Sequence, residues 1–480
     1  MSTPIAANIR SLTLALAVAF LVTSVGVSYW TILASDQLAN DPFNPRLIAA
    51  SHDRPRGAIL DRSGAPLATS EKGTNGFVRS YKDQSLAQLV GYASVQFGLS
   101  GVEAAYAESL IGQDRADPIS IWRARYLGER QAVGSVVLGI DEKIQKAAAD
   151  ALGGRRGAII ALDPRTGAIL ASVSVPSYDP NQVVDPQRQQ LAMDQLNKAP
   201  DHPLLNRAAQ GLYPPGSTFK VVTASAALES GFDPTNKLRV DDPYQPDRSW
   251  GDYFVRSASH AHGLFDMSDG FRLSENIYFA QVGLQIGGGK LAEYAKRFGI
   301  GATPKLDLPG AKGQLSSQSG VLDRPTLVAD TSYGQGELLV SPLQMALIYA
   351  AIGNGGVMPT PHYATEVRDA EGHVVRQVAP GPQGEVVSAN TAKTLTTMLV
   401  GAVAGPGAFA FGAKIPGVDV AGKTGTAENR PGEAPHGWFV GFAPAQAPTV
   451  VVAVIVENAA EGGVTAAPLG GQVMRAALGK

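Results

Sequence analysis

The first stretch of the chain is apolar without a break. Leu12 to Ala34 contains no charged residue. A helix of that length would run roughly 34 Å, against about 30 Å of hydrocarbon in a bilayer. Arg10 precedes it, and Asp36 and Asp41 follow, an asymmetry that keeps the amino terminus inside. Tyr29 and Trp30 fall where an interfacial aromatic belt would lie. A cleaved signal peptide is the competing reading, but the run exceeds the usual ~7–15 apolar residues and no clean A-x-A site follows it. Under either reading the rest of the chain is exported. No second run of this kind occurs, so the expected topology is one span with the bulk outside.

Beyond the span the pattern shortens to strand-like and helix-like pieces. Asp41-Pro42-Phe43-Asn44-Pro45 reads as a linker. Arg56 to Ala68 reads as strand, tight turn at Asp61-Arg62-Ser63-Gly64, strand. Val137 to Ile140 predicts a strand and Glu142 to Leu152 an Ala-rich helix. Gly157 to Leu162 and Ala168 to Val175 predict a hairpin closed by Asp163-Pro164-Arg165-Thr166-Gly167. Val418 to Glu428, Gly437 to Ala443 and Thr449 to Glu457 predict three more strands. Between these groups lie helical runs at Ser217 to Ser230, Asn276 to Ile286, Leu291 to Phe298 and Pro342 to Gly353, and Pro468 to Leu478 closes the chain. Strands at both ends with helices between predict one antiparallel sheet flanked by helices, an α+β fold.

Composition narrows the chemistry. The 480 residues suit two or three domains, and 44% hydrophobic residues suit a large core. With 40 basic and 42 acidic residues, nothing argues for a nucleic-acid surface. With no cysteine, disulfides, thiolate metal sites and a thiol nucleophile are excluded. His260 and His262 have a metal-compatible spacing but no evident third ligand. His436 reads as a solvated loop residue.

Three short clusters could carry chemistry. In Tyr213-Pro214-Pro215-Gly216-Ser217-Thr218-Phe219-Lys220 the Pro-Pro-Gly stops any preceding helix, and Ser217 opens a new one. Ser217 and Lys220 then share a face. A serine at a helix start can hold an oxyanion on free backbone N–H groups. The lysine can take the serine proton only when neutral, which at its ordinary pKa holds for about one molecule in a thousand near pH 7. A downward displacement of ~3 units would be needed, through burial and a second cation. An N-cap serine beside a solvated lysine is the plain alternative. Ser274-Glu275-Asn276 opens another helical run, and can either point Ser274 and Asn276 into a cleft or simply cap the helix. Lys423-Thr424-Gly425-Thr426 lies on a strand. There both threonine hydroxyls share one side and Gly425 allows close approach, a grip for a carboxylate and an extended peptide. Gly417 to Thr424 also spells G-x-x-x-x-G-K-T. Pro416 before it and Gly425 with threonines after it oppose the strand–loop–helix context that a nucleotide site requires.

S-x-x-K, S-x-N and K-T-G in this order resemble the signature of the penicillin-recognising serine enzymes. The exported chain resembles a class B penicillin-binding protein, a peptidoglycan D,D-transpeptidase. Arg56 to Ala68 is similar to that family's R-G-x-I-x-D-R-x-G segment, and Gly157 to Asn181 to its G-A-x-x-A-L-D-P-x-T-G opening. Tyr333-Gly334-Gln335-Gly336 with Ser341-Pro342-Leu343-Gln344 is similar to its G-Q-G…P-L-Q segment. The short pedestal, the Tyr-Pro-Pro-Gly before Ser217 and the run Trp438 to Pro448 look most like the penicillin-binding protein A subgroup.

The resemblance implies a penicillin-binding/β-lactamase-like transpeptidase domain over 152–480. Ahead of it would stand a cytoplasmic stub (1–11), a transmembrane helix (12–34) and a small, mostly β, dimerisation-like pedestal (35–151). It implies Ser217 as nucleophile and Lys220 as general base. Ser274 would relay a proton, and Asn276 would hydrogen-bond the donor peptide. Lys423 would lower the pKa of Lys220 and orient Ser274. Thr424 and Thr426 would bind the terminal carboxylate across Gly425, and the N–H groups of Ser217 and Thr426 would form the oxyanion hole. Expected partners are stem peptides ending in D-Ala-D-Ala, an amine acceptor and β-lactams. No cofactor or metal is implied. The stretch 35–151 is too short for a glycosyltransferase domain, so a separate membrane glycan polymerase of the SEDS type is expected by analogy. Glu275 stands at a position that varies in the family. No wall-binding repeats are expected past the closing helix. A D,D-carboxypeptidase shares all three motifs, though small ones usually carry their anchor at the other end. A β-lactamase needs a second base that no residue supplies. A β-lactam sensor predicts a longer cytoplasmic segment, and an inactive scaffold predicts damaged motifs.

Overall fold

Residues 4–30, 55–73, 76–112, 133–318, 320–378, 380–429, 432–459 and 461–480 are described by the structure, a computed structural model. The first element, α1 (Pro4–Ser28), starts before the expected span and takes in Arg10. Its stretch Asn8–Ser28 has a mean hydropathy of 2.0 and buries nothing against the protein. It is long and apolar enough to cross a membrane. The expected end of the span (31–34), Asp36, Asp41 and the 41–45 linker lie outside the described residues.

Next come β1 (Ile59–Leu60), β2 (Pro66–Gly73), β3 (Gly76–Tyr81) and β4 (Ser135–Leu138). The turn between β1 and β2 is built by Asp61, whose Oδ1 accepts from Ser63 N at 2.8 Å, Ser63 Oγ at 2.7 Å and Ala65 N at 2.8 Å. The Asp-Arg-Ser-Gly chemistry therefore acts as an Asx turn, as its sequence predicts. The strand expected at 137–140 lies two residues earlier. Helix α2 (Glu142–Leu152) has the predicted bounds, with Asp141 Oδ1 accepting from Lys143 N and Ile144 N.

The larger layer begins with β5 (Gly157–Leu162) and β6 (Ile169–Val175). Then follow α3 (Lys220–Glu229), α4 (Met267–Arg272), α5 (Asn276–Arg297), α6 (Pro325–Ser332) and α7 (Pro342–Gly353). Two short strands, β7 (Ala364–Arg368) and β8 (Val374–Gln377), precede α8 (Ala389–Ala404). The chain ends with β9 (Ala421–Ala427), β10 (His436–Ala443), β11 (Val450–Val456) and α9 (Ala467–Ala477). The order in the large sheet is β9-β10-β11-β5-β6, antiparallel throughout. Strands β5, β10 and β11 are buried at every position, so both faces are covered. Alternate residues explain how. Ile159, Val452 and Val454 pack with Ile144 of α2 and Val473 of α9. Ile160, Val451 and Ala453 pack on the other face, in the core shared with α3, α5, α7 and α8. This is the expected α+β arrangement.

The topology crosses the division expected at 151/152 in both directions. Strands β7 and β8 leave the large domain to complete a second sheet, ordered β8-β7-β4-β1-β2-β3. Helix α2 packs instead against the large sheet and α9. The runs expected at 276–286 and 291–298 form one element, α5, interrupted at Gly287, whose φ is 81°. Helices α4, α6 and α8 were not predicted. In α8 the Thr- and Gly-containing run is a weak helix former, and its stability comes from burying Leu395, Leu399 and Val403.

Candidate active site

Three separate segments meet where the sequence clusters predict chemistry. The first is the turn Gly216–Phe219, a 3₁₀ turn running straight into α3. With three residues per turn, Ser217 and Lys220 stack one above the other. The turn is pinned on all sides. Tyr213 pairs with Val340 through two backbone hydrogen bonds, and Gly216 N donates to Gly334 O at 2.9 Å. Gly216 has a φ of 54°, and a Cβ there would press on Thr426 O at 2.9 Å. Ser217 makes no side-chain cap bond, so the plain capping alternative does not hold.

The second segment is the turn from α4 into α5. Ser274 sits in the left-handed region at φ 55°. Its N donates to Phe271 O, and Glu275 N donates to Gly270 O at 2.9 Å, the two bonds of a Schellman helix end. A glycine would normally stand there; a serine costs of order 1–3 kcal/mol of strain. The capping alternative for this motif falls to Glu275 rather than Ser274, because Glu275 Oε1 accepts from Ile277 N at the start of α5. The third segment is β9, the edge of the large sheet. A Cβ on Gly425 would lie 2.7 Å from Pro215 O, so glycine lets the strand lie against the serine turn.

Two buried lysines converge on Ser274. Lys423 Nζ donates to Ser274 Oγ at 2.8 Å and to Thr424 O at 3.1 Å. Lys220 Nζ donates to Ser274 O at 2.6 Å and to Asn276 Oδ1 at 2.8 Å, with Ser274 Oγ at 3.4 Å. Their exposures are 0% for Lys220 and 1% for Lys423, which removes the solvated-lysine alternative. Burial, then the charge of Lys423, push the Lys220 ammonium well below its ordinary pKa, with Glu275 opposing. Burial lowers Lys423 to about 7. Both causes that lower a lysine's pKa, burial and a neighbouring cation, are present in this packing.

Ser217, Ser274, Asn276, Thr424 and Thr426 line one cleft of about 1160 Å³. Gly425 lies behind it. All eight sequence-predicted residues are thus gathered from segments that run from Ser217 to Thr426 in the chain. Sequence reasoning missed the supports. Trp438 Nε1 donates to Pro214 O at 2.9 Å. Tyr213 stands edge-on to Trp438 and His436, and its hydroxyl donates to Glu457 at 2.7 Å. Glu457 also pairs with Arg207 at 2.8 Å and Arg156 at 2.5 Å. Opposite, Tyr253 and Tyr333 both donate to Asp330 on the cleft wall. The prior signals for these were that Tyr213, Tyr333 and Trp438 stand in stretches that resemble the family or its subgroup. His436 is not a solvated loop residue. It opens β10, is buried, and accepts from Asn458 N at 3.1 Å; burial holds its imidazole below its ordinary pKa. Residues 417–424 run into a strand, not a phosphate loop before a helix, and from Ala421 their backbone pairs with β10. His260 is exposed, with Asp242 at 3.6 Å.

A serine beside a buried lysine, a second lysine held on a serine hydroxyl, and a strand edge carrying two threonines define a serine acyltransferase site. The chain belongs to the penicillin-binding protein transpeptidase family. The penicillin binding protein transpeptidase domain matches residues 157–475, and the penicillin binding protein A dimerisation domain matches 56–136. Among curated relatives, peptidoglycan D,D-transpeptidase PbpA of Mycobacterium tuberculosis is 33% identical, over 98% of this chain and 99% of the relative. Peptidoglycan D,D-transpeptidase MrdA of Escherichia coli is 30% identical, over 84% of this chain and 68% of the relative. Among solved structures, the ceftriaxone acyl-enzyme complex of penicillin-binding protein A from M. tuberculosis superposes with a TM-score of 0.83 at 34% identity, covering 90% of this chain and all of that one.

Proposed function

We propose that the chain is a membrane-anchored serine D,D-transpeptidase that cross-links peptidoglycan stem peptides through an acyl-enzyme on Ser217. The observation that carries this reading is the convergence of two buried lysines on Ser274 beside Ser217. A donor peptide lies along β9, its terminal carboxylate on the Thr424 and Thr426 hydroxyls and its side held by Asn276. Neutral Lys220 swings from its resting partners to Ser217 Oγ and takes the proton as Oγ attacks the carbonyl between the two D-alanines. The N–H groups of Ser217 and Thr426 hold the oxyanion. Ser274, held by Lys423, passes a proton to the departing D-alanine amine. An amine of a second stem peptide then attacks the ester, its proton returning along the same path, and Ser217 is released. β-Lactams acylate the same serine.

α1 serves as the single anchor, with the two sheets outside the cell membrane. A separate membrane glycan polymerase of the SEDS type supplies the strands. The test is labelling of the detergent-solubilised full chain with a fluorescent penicillin, beside Ser217→Ala. Stoichiometric label on the wild type and none on the variant is expected. Equal labelling of both would overturn the assignment of Ser217, and a folded wild type that takes no label would overturn the acyl-enzyme reading.

A further inference from the structure

The middle residue of the S-x-N motif is an acidic side chain that stands between Ser274 and Asn276, the two residues that Lys220 bonds. Glu275 is 0% exposed. Its Oε1 accepts from Ile277 N at 3.1 Å, and its Oε2 accepts from Ser257 Oγ at 2.6 Å and Ser259 Oγ at 2.9 Å. Ser257 lines the cleft with Arg256 and Ala258, and Ser259 follows directly after them. The same wall is tied on by Asn276 Nδ2, which donates to Arg256 O at 3.3 Å. One carboxylate therefore joins the start of α5, the Ser274 turn and the wall against which a peptide would lie.

We propose that Glu275 is a positioning residue of this active site: it bolts the 256–259 wall to the Ser274 turn and supplies the negative charge against which Lys220 is set. The inference rests on the transpeptidase reading above. Charge arithmetic supports it. Two ammonium groups buried side by side with no anion would both be driven neutral, and the hydroxyl of Ser274 would lose its charged donor. A buried carboxylate nearby favours keeping one proton on the pair, the state in which one lysine is base and the other is donor. Glu275 opposes the effects of burial and of Lys423 on Lys220. On the far side of Ser257, Asp242 accepts from Ser257 N at 3.2 Å and faces His260. Arg256 reaches Asn276 only through its backbone oxygen.

The sign of the test follows. Removing the charge of Glu275 lets Lys220 lose its proton at lower pH. The acid limb of the acylation rate then moves down. The experiment measures the rate of acylation by a fluorescent penicillin against pH, on the full chain in detergent, for wild type, Glu275→Gln and Ser259→Ala. Glutamine keeps the size and an acceptor for Ile277 N, and serine hydroxyls can turn to accept. For Glu275→Gln the acid limb is expected to fall by about one pH unit or more, with a lower maximum. For Ser259→Ala, which loosens the wall and keeps the charge, a slower rate with an unmoved limb is expected. A Glu275→Gln limb that coincides with the wild type would overturn the electrostatic role, and an unchanged Ser259→Ala rate would overturn the bolt. Should Glu275→Gln fail to fold, Ser257→Ala with Ser259→Ala reads the bolt, and Glu275→Asp reads whether the charge alone preserves the limb. Absence of any labelling of the folded wild type would count against the transpeptidase reading instead.

Discussion

Two places in this molecule bury two cations side by side, and they behave oppositely. In the small sheet, Glu103 is fully buried and pairs directly with Arg56 at 2.8 Å and Arg79 at 2.5 Å. Burial alone would raise the Glu103 pKa, but the charges and hydrogen bonds of the two arginines outweigh it and hold it below its ordinary value. At the cleft, Lys220 and Lys423 meet on a serine rather than on a carboxylate, and both are pushed down in pKa. The difference lies in the side chains. A guanidinium cannot give up its proton and fits a carboxylate through a rigid fork, so the first cluster is a permanent bolt. An ammonium on a flexible stem can be neutralised by burial, so the second moves protons. The bolt is also less than complete: Arg56 Nη1 and Arg79 Nη2 are buried without a partner.

The comparison breaks most sharply if the two cation types are exchanged. Lys220→Arg puts a permanently charged group where a base is needed. Acylation is expected to fall about 10²–10⁴-fold, the usual worth of general base catalysis, with the fold retained. Stopped-flow or gel measurement of penicillin acylation checks it, and a near-wild-type rate would end the assignment of Lys220 as base. In the small sheet, Glu103→Gln leaves two arginines buried without an anion. A loss of about 3–5 kcal/mol in denaturant unfolding is expected, with acylation per folded molecule unchanged. A variant as stable as the wild type would show that the bolt carries no net stability.

The smallest effect concerns pH. Lys423 titrates near 7 when folded, against its ordinary 10.5. Between those values the unfolded chain holds a proton that the folded chain lacks, so stability rises with pH and is lost as pH falls toward 7. Lys423→Met is expected to flatten that rise and to stabilise the protein near neutrality while abolishing efficient acylation. Unfolding curves at pH 7, 8.5 and 10 would test it; parallel slopes for both proteins would contradict the burial of this ammonium.

Much of the site was legible because its chemistry is local. Ser217 with Lys220, Ser274 with Asn276, and Lys423 with its threonines each occupy a few adjacent positions flanked by turn residues. The supports were not legible. Glu457 reaches Tyr213 across 244 positions, and Trp438 reaches Pro214 across 224. Glu275 read only as a position that varies in the family, because its partners, Ser257 and Ser259, stand on a stretch with no motif. His436 read as a solvated loop residue because it borders a strand; its burial comes from packing in space, with Tyr213 edge-on to it.

The amino-acid sequence by itself determined the apolar α1, the Asx turn at Asp61, the helix opened by Asp141, the hydrophobic strands of the large sheet and the order of three motifs. These depend on periodicity, turn chemistry and neighbours a few residues apart. Only the tertiary structure decided that β7 and β8 complete the small sheet, that Ser274 occupies a strained left-handed position, and that two lysines share one serine. Strand pairing between remote segments and the desolvation of a charge both depend on what packs nearby in space, and no local pattern records that.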